Sequence, residues 1–199
     1  MRTCLGDHVA PTVAIATRRL LERLGVEVVV PRAQTCCGQP GWTAGHPDQA
    51  RAVARQALRA FAGTDPVVVP SGSCTAMITH SYPELFAGQP EESAARDLAA
   101  RTLELSQFLR RHDLVPTAAA DAPQHVTYHD SCHMLRLLRE VESPREVLHG
   151  AGITVIEMPD SDVCCGCGGA FSVSFPEVSG ALGEQKARSA AATEADALV

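Results

Sequence analysis

The chain has 199 residues, enough to bury a substantial core as one domain or as two smaller ones. Its formal net charge of -6 and its pI near 5.7 argue against a nucleic-acid or anionic-membrane surface, because such partners require clustered Lys and Arg. The sequence has neither an apolar run of about 20 residues nor a signal-peptide pattern, so we expect a cytoplasmic protein with no membrane span.

Local patterns predict alternating helices and strands in the first half of the chain. Apolar residues recur at helical spacing up to Gly25, and runs of valine follow the first and second helical patterns. In chain order, the predicted elements are helix 9–24, strand 26–30, helix 47–62, strand 67–69, a helix from about 75, and helix 91–112.

The second half repeats this order after a linker rich in alanine, proline and aspartate at 115–124. The last helix has Ser174 as its predicted N-cap and Glu177 at N3, a capping-box arrangement. The predicted elements are strand 125–128, helical material to 148, strand 153–158, a helix from 174 towards 195, and strand 197–199. The linker therefore separates a first domain, 1–114, from a second, 125–199.

This alternation predicts an α/β fold made of two duplicated half-domains, each with a parallel sheet flanked by helices. We expect a pseudo-twofold axis to relate the halves. Ligands in such sheets bind at the carboxyl ends of strands. Cys74, Cys132 and Cys164 each follow a predicted strand, which places them at such ends.

Two sets of cysteines share one spacing, the signature of an internal repeat. The first set is Cys4, Cys36, Cys37 and Cys74, and the second is Cys132, Cys164 and Cys165. In each set an adjacent pair begins 32 residues after a single cysteine, and the sets are offset by 128 residues. That offset places the counterpart of Cys74 at position 202, beyond Val199, so we expect the second set to lack its last ligand here. By the same symmetry a strand is expected before Cys4, which predicts either truncation at the N-terminus or a misassigned start codon.

Clustered cysteines in a reducing compartment more often bind metal or catalyse than form disulfides. Structural zinc sites usually use two cysteines separated by two to four residues, whereas adjacent cysteines suit a centre that contains several irons. Iron–sulfur binding is therefore favoured, and zinc remains the alternative. Gly38 and Gly166, each directly after a cysteine pair, would allow backbone N–H groups to approach the sulfurs.

Four sequence blocks resemble the cysteine-rich (CCG) domain family, and the resemblance covers nearly the entire chain. The blocks are QTCCGQP at 34–40, PSGSC at 70–74, HDSC at 129–132 and CCGCGG at 164–169. Within the family, the sequence is most similar to the branch that serves lactate utilization. It is more distantly similar to the iron–sulfur subunit of glycolate oxidase and to one of the subunits of heterodisulfide reductase.

The resemblance implies an oxidoreductase subunit that binds an iron–sulfur cluster, of the 4Fe-4S type, and transfers electrons while L-lactate is oxidised to pyruvate. It implies activity only with partner subunits, namely a ferredoxin-like iron–sulfur protein and a third subunit, and it assigns no catalytic residue. The implied ligands are Cys4, Cys36, Cys37 and Cys74 for one centre and Cys132, Cys164 and Cys165 for the other, with zinc possible at one site. The alternatives are a zinc-stapled interaction module and a thiol–disulfide redox subunit related to heterodisulfide reductase.

Two positions depart from the family pattern. Ser71 stands where the fullest pattern has an extra cysteine, which argues against a five-thiolate cluster. Cys167 stands where relatives commonly have an apolar residue, and we expect a small buried side chain there rather than a ligand.

The residues around Cys132 are the remaining candidates. His129 and His133 could donate to the centre or carry protons, although ordinary packed or surface histidines are the commoner outcome. Asp130 and Ser131 are expected to cap the following helix.

Overall fold

A computed structural model describes residues 1–199, apart from the side chains of Leu5 and Asp7. The chain folds into two compact units, Met1–Phe108 (unit 1) and Leu109–Val199 (unit 2). Each unit contains one small parallel sheet flanked by helices, which confirms the predicted α/β class. The pseudo-twofold relation and the domain boundaries near residues 114 and 125 remain predictions.

Unit 1 is mostly helical around a two-stranded sheet. Its helices are α1 (Cys4–Val9), α2 (Pro11–Arg23), α3 (Gln39–Thr43), α4 (Pro47–Ala60), α5 (Gly72–Ala76), α6 (Tyr82–Leu85) and α7 (Glu92–Ala100), with a π-helical turn at Met77–Ser81. Its strands are β1 (Val67–Val69) and β2 (Thr102–Glu104), and α8 (Leu105–Arg111) continues into unit 2. The two strands pair in parallel, with Val67 opposite Thr102.

Helix α4 shows why unit 1 packs tightly around its cysteines. Ala50, Ala54 and Ala57 lie on one face of the helix and are almost completely buried. Their small side chains allow α3 and the cysteine-containing loop before it to approach the helix closely. Cys37 and Cys74 belong to the same hydrophobic core, so these two sulfurs are part of the packed interior.

The predicted strand at 26–30 is wrong, because this segment has no regular secondary structure and does not enter the sheet. A strand needs a neighbour that pairs with its backbone N–H and C=O groups. Segment 26–30 and the β1 residues Val67 and Val68 line a common cavity of about 570 Å³. Among the described backbone groups, the two runs of valine share no hydrogen bond, since the cavity lies between them.

The single helix predicted over 91–112 is also wrong, because β2 divides it into α7 and α8. Local composition favoured helix throughout this stretch. Parallel pairing with β1 overrides that preference and buries the β-branched side chain of Thr102, whose hydroxyl donates to Leu98 O at 2.7 Å. The contact that decides the structure is therefore remote in sequence.

Unit 2 contains a three-stranded parallel sheet with β3 (His125–Thr127) in the centre. The strands β4 (Thr154–Val155) and β5 (Ala197–Leu198) pair with β3 on either side, which confirms the three strands predicted in this half. Its helices are α9 (Glu142–Gly150), α10 (Ala170–Ser174) and α11 (Pro176–Ala191), with a π-helical turn at His133–Leu138. None of the helices in the described chain is both long and apolar enough to cross a bilayer.

The predicted N-cap at Ser174 is wrong, because Ser174 ends α10 and Phe175 precedes the first residue of α11. Pro176 occupies the first position of α11, where its fixed φ and missing N–H suit a helix start. The proline thus decides where the helix begins.

Candidate metal centres

Three separate segments of the chain bring the cysteines of unit 1 together. Cys4 is the first residue of α1, and Cys36 and Cys37 lie in the loop before α3. Cys74 lies in α5, directly after β1, where its backbone N–H donates to the Ser71 hydroxyl at 3.4 Å. The backbone at each cysteine is thus held in position by a helix that contains the cysteine or directly follows it.

The four sulfurs of unit 1 form a continuous chain of contacts. The Cys4 thiol donates to Cys36 Sγ at 3.1 Å. Cys37 is hydrogen-bonded through its side chain to both Cys36 and Cys74. Residues that are up to 70 positions apart in sequence therefore meet at one place.

Burial divides this chain of sulfurs into an inner and an outer half. Cys37 is 1% exposed and Cys74 is 6% exposed, whereas Cys4 and Cys36 are only partly buried. The hydroxyl of the fully buried Tyr82 donates to Cys37 O at 2.9 Å and holds the backbone of the inner half. The site is thus anchored in the core and reaches the surface at Cys4 and Cys36.

The hydrogen bonds among these thiols separate their acidities. The pKa of Cys36 is lowered to about 5, first because the Cys37 thiol donates to it and also because the Gly38 N–H does. The pKa of Cys37 is raised, because its proton is shared with Cys36 and Cys74 and because it is buried. Hydrogen bonding from Cys37 lowers the pKa of Cys74 as well, although burial opposes the change. Cys36 is therefore favoured as a thiolate at neutral pH, with the Cys37 thiol donating to it.

Gly38 allows the backbone to turn towards the sulfur of Cys36. Its φ is +87°, and its N–H donates to Cys36 Sγ at 3.5 Å. A Cβ at this position would lie 2.9 Å from Ala50 O, which leaves room for glycine alone. The turn therefore depends on the close packing against α4.

Unit 2 repeats this arrangement with three cysteines. Gly166 has φ +80°, and its N–H donates to Cys164 Sγ at 3.4 Å, which matches Gly38 and Cys36 at the offset of 128 residues. Cys132 is hydrogen-bonded through its side chain to Cys164 and lies close enough to Cys165 to sense its charge. Burial, followed by these two neighbours, raises the pKa of Cys132. The three cysteines of the second set therefore lie together, as those of the first set do.

Cys167 differs from the other seven cysteines because its side chain is exposed. The expectation of a small buried residue at this position is wrong. Gly168 and Gly169 follow it, and this glycine-rich stretch passes over the surface before α10 begins. None of the eight cysteines, all of which the structure describes, forms a disulfide.

Sequence reasoning missed an ion-pair group around Arg145 in unit 2, which is buried at Asp130 and exposed at Glu157. Its guanidinium donates to both carboxylate oxygens of Asp130 at 2.8 and 2.9 Å and to those of Glu157 at 2.6 and 2.8 Å. Arg145 also lies over the Tyr128 ring, 5.1 Å from its centroid. Asp130 is 4% exposed, so this residue serves the ion pair and is not a helix cap. The Ser131 hydroxyl does accept from Met134 N at 3.4 Å, as predicted.

Acid should weaken the folding of unit 2 through this group. Arg145 holds the pKa of Glu157 below its ordinary 4.5. Burial would raise the pKa of Asp130, yet hydrogen bonds from Arg145 hold it below its ordinary 3.8. Asp130 and Glu157 therefore take up their protons at a higher pH in the unfolded chain than in the folded chain. The stabilisation that Arg145 gives is fully present above the ordinary pKa values of the two carboxyl groups. It is lost as the pH falls through their lower pKa values in the folded chain.

Urea midpoints measured between about pH 3 and pH 7 test this expectation. Arg145→Met should weaken the trend strongly, because the burial of Asp130 is then opposed only by the smaller effects of Ser161 and His129. Arg110→Gln breaks a half-exposed pair with Glu146 and should keep the wild-type trend. Equal slopes in wild type and Arg145→Met would show that the ion-pair group does not control acid stability.

The cysteine sulfurs fit an iron–sulfur centre in their chemistry, although they are not already arranged around one metal position. Among the side chains that the structure describes, no set of three or more Cys, His, Asp or Glu already surrounds a single metal ion. Cys4 and Cys36 lie 3.1 Å apart at sulfur, closer than the about 3.8 Å expected between two thiolates on one tetrahedral zinc. Thiols in direct contact still provide the soft ligands that iron–sulfur clusters use, and an N–H already points at one sulfur in each unit.

Comparison with known proteins agrees with the duplicated pattern. The model of the cysteine-rich domain, CCG, matches residues 1–79 and 126–199. Curated relatives include lactate utilization protein A of Geobacillus thermodenitrificans (strain NG80-2), 45% identical, and of Geobacillus kaustophilus (strain HTA426), 44% identical. Another is lactate utilization protein A of Shouchella clausii (strain KSM-K16), 43% identical. Each alignment covers 99% of this chain and 83% of the relative.

Proposed function

Because the chain belongs to the cysteine-rich domain family (CCG), we propose that it is an iron–sulfur electron-transfer subunit of a complex that oxidises L-lactate to pyruvate. The relatives named lactate utilization protein A support a role in lactate utilization. The proposal places the protein in the reducing cytoplasm, where its eight cysteines would stay free to bind metal.

The observation that carries the proposal is the contact chain from Cys4 through Cys36 and Cys37 to Cys74. These four thiolates would hold one centre, and Cys132, Cys164 and Cys165 would contribute to a second. An iron–sulfur cluster, when bound, accepts and releases single electrons. The N–H groups of Gly38 and Gly166 would stabilise the negative charge on the sulfurs.

The burial of the first set assigns different tasks to its members. Cys37 and Cys74 lie in the hydrophobic core, where they would keep water from the centre and anchor it. Cys4 and Cys36 are partly exposed and would form the side through which electrons pass to a partner. The partners proposed are a ferredoxin-like iron–sulfur protein and a third subunit, and lactate chemistry would depend on them.

Electron paramagnetic resonance tests the proposed role directly. The isolated, anaerobically purified protein should give a signal of a reduced cluster with dithionite and none with L-lactate. The complex captured with its partner subunits should give that signal with L-lactate alone. A dithionite-treated protein without a cluster signal, or a complex that lactate cannot reduce, would contradict the proposal.

A second candidate function, thiol–disulfide exchange, is favoured by the direct contact between Cys4 and Cys36. Their sulfurs lie 3.1 Å apart, and the pKa of Cys36 near 5 keeps it as a thiolate. The Cys36 thiolate and the Cys4 thiol would form one disulfide, while a disulfide substrate takes up the two electrons, the proton of Cys4 and one proton from solvent and becomes two thiols. Peptide mass spectrometry of metal-free protein treated with oxidised glutathione should then find a Cys4-to-Cys36 disulfide, and recovery of both as thiols would exclude this function.

A further inference from the structure

Lys186 on α11 is an unusual basic residue in this protein. The chain has 17 lysines and arginines, and Lys186 is the single lysine among them. It is also buried, with 5% exposure. Its ammonium donates to the backbone carbonyls of Asp160 and, at 3.2 Å, Ser161. It takes part in none of the ion pairs formed by the described side chains.

An ammonium held only by carbonyl groups loses much of its hydration without the return of an ion pair. We therefore expect the positions of the two carbonyl groups to be important to the protein. Asp160 and Ser161 lie just before Cys164 in the sequence, so Lys186 fixes the approach to the second cysteine pair. The compact ammonium, with three donors, suits two neighbouring carbonyls better than a planar guanidinium does.

The carbonyl of Ser161 joins both cysteine loops of unit 2. It accepts from Lys186 Nζ and from Asp130 N, each at 3.2 Å, and His129 Nδ1 lies at the same distance. Asp130 lies two residues before Cys132. One carbonyl oxygen thus connects α11, the loop before Cys132 and the loop before Cys164.

Other residues on the same face of α11 hold the loop from 159 to 166. The Ser189 hydroxyl donates to Pro159 O, and the Ser179 hydroxyl donates to Gly166 O at 3.0 Å. Ser179, Lys186 and Ser189 are spaced by seven and three residues, which places them along one stripe of the helix. Helix α11 therefore supports the loop at its beginning and at its end, and Lys186 lies between the two serine contacts in sequence.

We propose that Lys186 is the positioning residue of the second cysteine set: by holding the Asp160 and Ser161 carbonyls, it sets Cys164 and Cys165 against Cys132 for metal binding. This inference rests on the proposed function, in so far as the cysteines are metal ligands. It goes beyond that function because Lys186 contacts none of the sulfurs in the structure and would act on them through the loop from 159 to 166.

Cobalt binding to the full chain tests the proposal. Cys36→Ser with Cys37→Ser removes the first site, so that thiolate-to-cobalt absorption reports on unit 2. In this parent, Lys186→Met should weaken Co²⁺ binding about tenfold or more and change the absorption band, as loss of a group that orients metal ligands does. Lys186→Arg keeps a cation with N–H donors but in a planar group, so it should recover only part of the affinity. Arg188→Gln changes an exposed residue on the same helix and should leave the affinity unchanged.

Lys186→Gln provides a second variant should Lys186→Met fail to fold, because it removes the charge but retains a polar side chain. Co²⁺ affinity within twofold of the parent in whichever variant folds, or a parent that binds no Co²⁺, would overturn the proposal. Dependence on Lys186 in a protein that carries no iron after anaerobic purification would support the positioning role and reject the proposed function. Iron-loaded protein with Co²⁺ affinity independent of Lys186 would reject the positioning role alone.

Discussion

Cys36→Ser should remove the metal of the first centre. Cys36 is the central link of the sulfur chain, since it contacts Cys4 at 3.1 Å, accepts from Cys37 and receives the Gly38 N–H. A serine hydroxyl is a much harder and less acidic ligand than a thiol. Loss of groups that merely orient a metal ligand already reduces affinity 10–100-fold, so loss of the ligand itself should reduce bound iron by at least about tenfold.

Iron analysis of anaerobically purified protein checks this result in a Cys164→Ser, Cys165→Ser background, in which only the first centre remains. Cys167→Ser is the matched control, because this cysteine is exposed and lies outside the duplicated spacing. It should leave the iron content unchanged. If Cys36→Ser retained the iron of its parent, the ligand assignment in unit 1 would be wrong.

Gly166→Ala should strongly destabilise unit 2. A Cβ at Gly166 would lie 2.3 Å from Ser179 O, a backbone atom of α11 that cannot rotate away. The residue also has φ +80°, which penalises any side chain by about 1 to 2 kcal/mol. Overpacking adds about 1 to 3 kcal/mol, so we expect a total loss of about 2 to 5 kcal/mol.

Gly152→Ala is the matched control in the same unit. Gly152 has φ +85°, and no heavy atom lies within 4 Å of its Cβ position. This variant should lose only the conformational part, about 1 to 2 kcal/mol. Urea unfolding of the two variants separates the effects. Equal losses would mean that the contact between the cysteine loop and α11 is looser than the structure shows.

Elements with a strong local pattern were predictable from the sequence. Three elements can be predicted from local sequence alone. They are α2 with its apolar periodicity, the alanine-rich α4, and β1 with its run of valine. The convergence of the cysteines was also predictable, because the repeat and the strand ends indicate where the sulfurs should meet.

Features that depend on remote partners were not predictable. Segment 26–30 has the composition of a strand but no pairing partner among the described residues, and β2 forms only because β1 is beside it. The ion pairs of Arg145 join residues 12 and 15 positions away, which no helical or strand periodicity reveals. The one available signal for Lys186 was its uniqueness, a single lysine against 16 arginines.

The most direct measurement is the content of iron, acid-labile sulfide and zinc in the anaerobically purified protein. If separated cysteines converge on an iron–sulfur centre, iron and sulfide should be present in similar amounts, about four of each for every 4Fe-4S cluster, with little zinc. A colourless protein with stoichiometric zinc and no sulfide would contradict this account and favour the zinc-stapled interaction module.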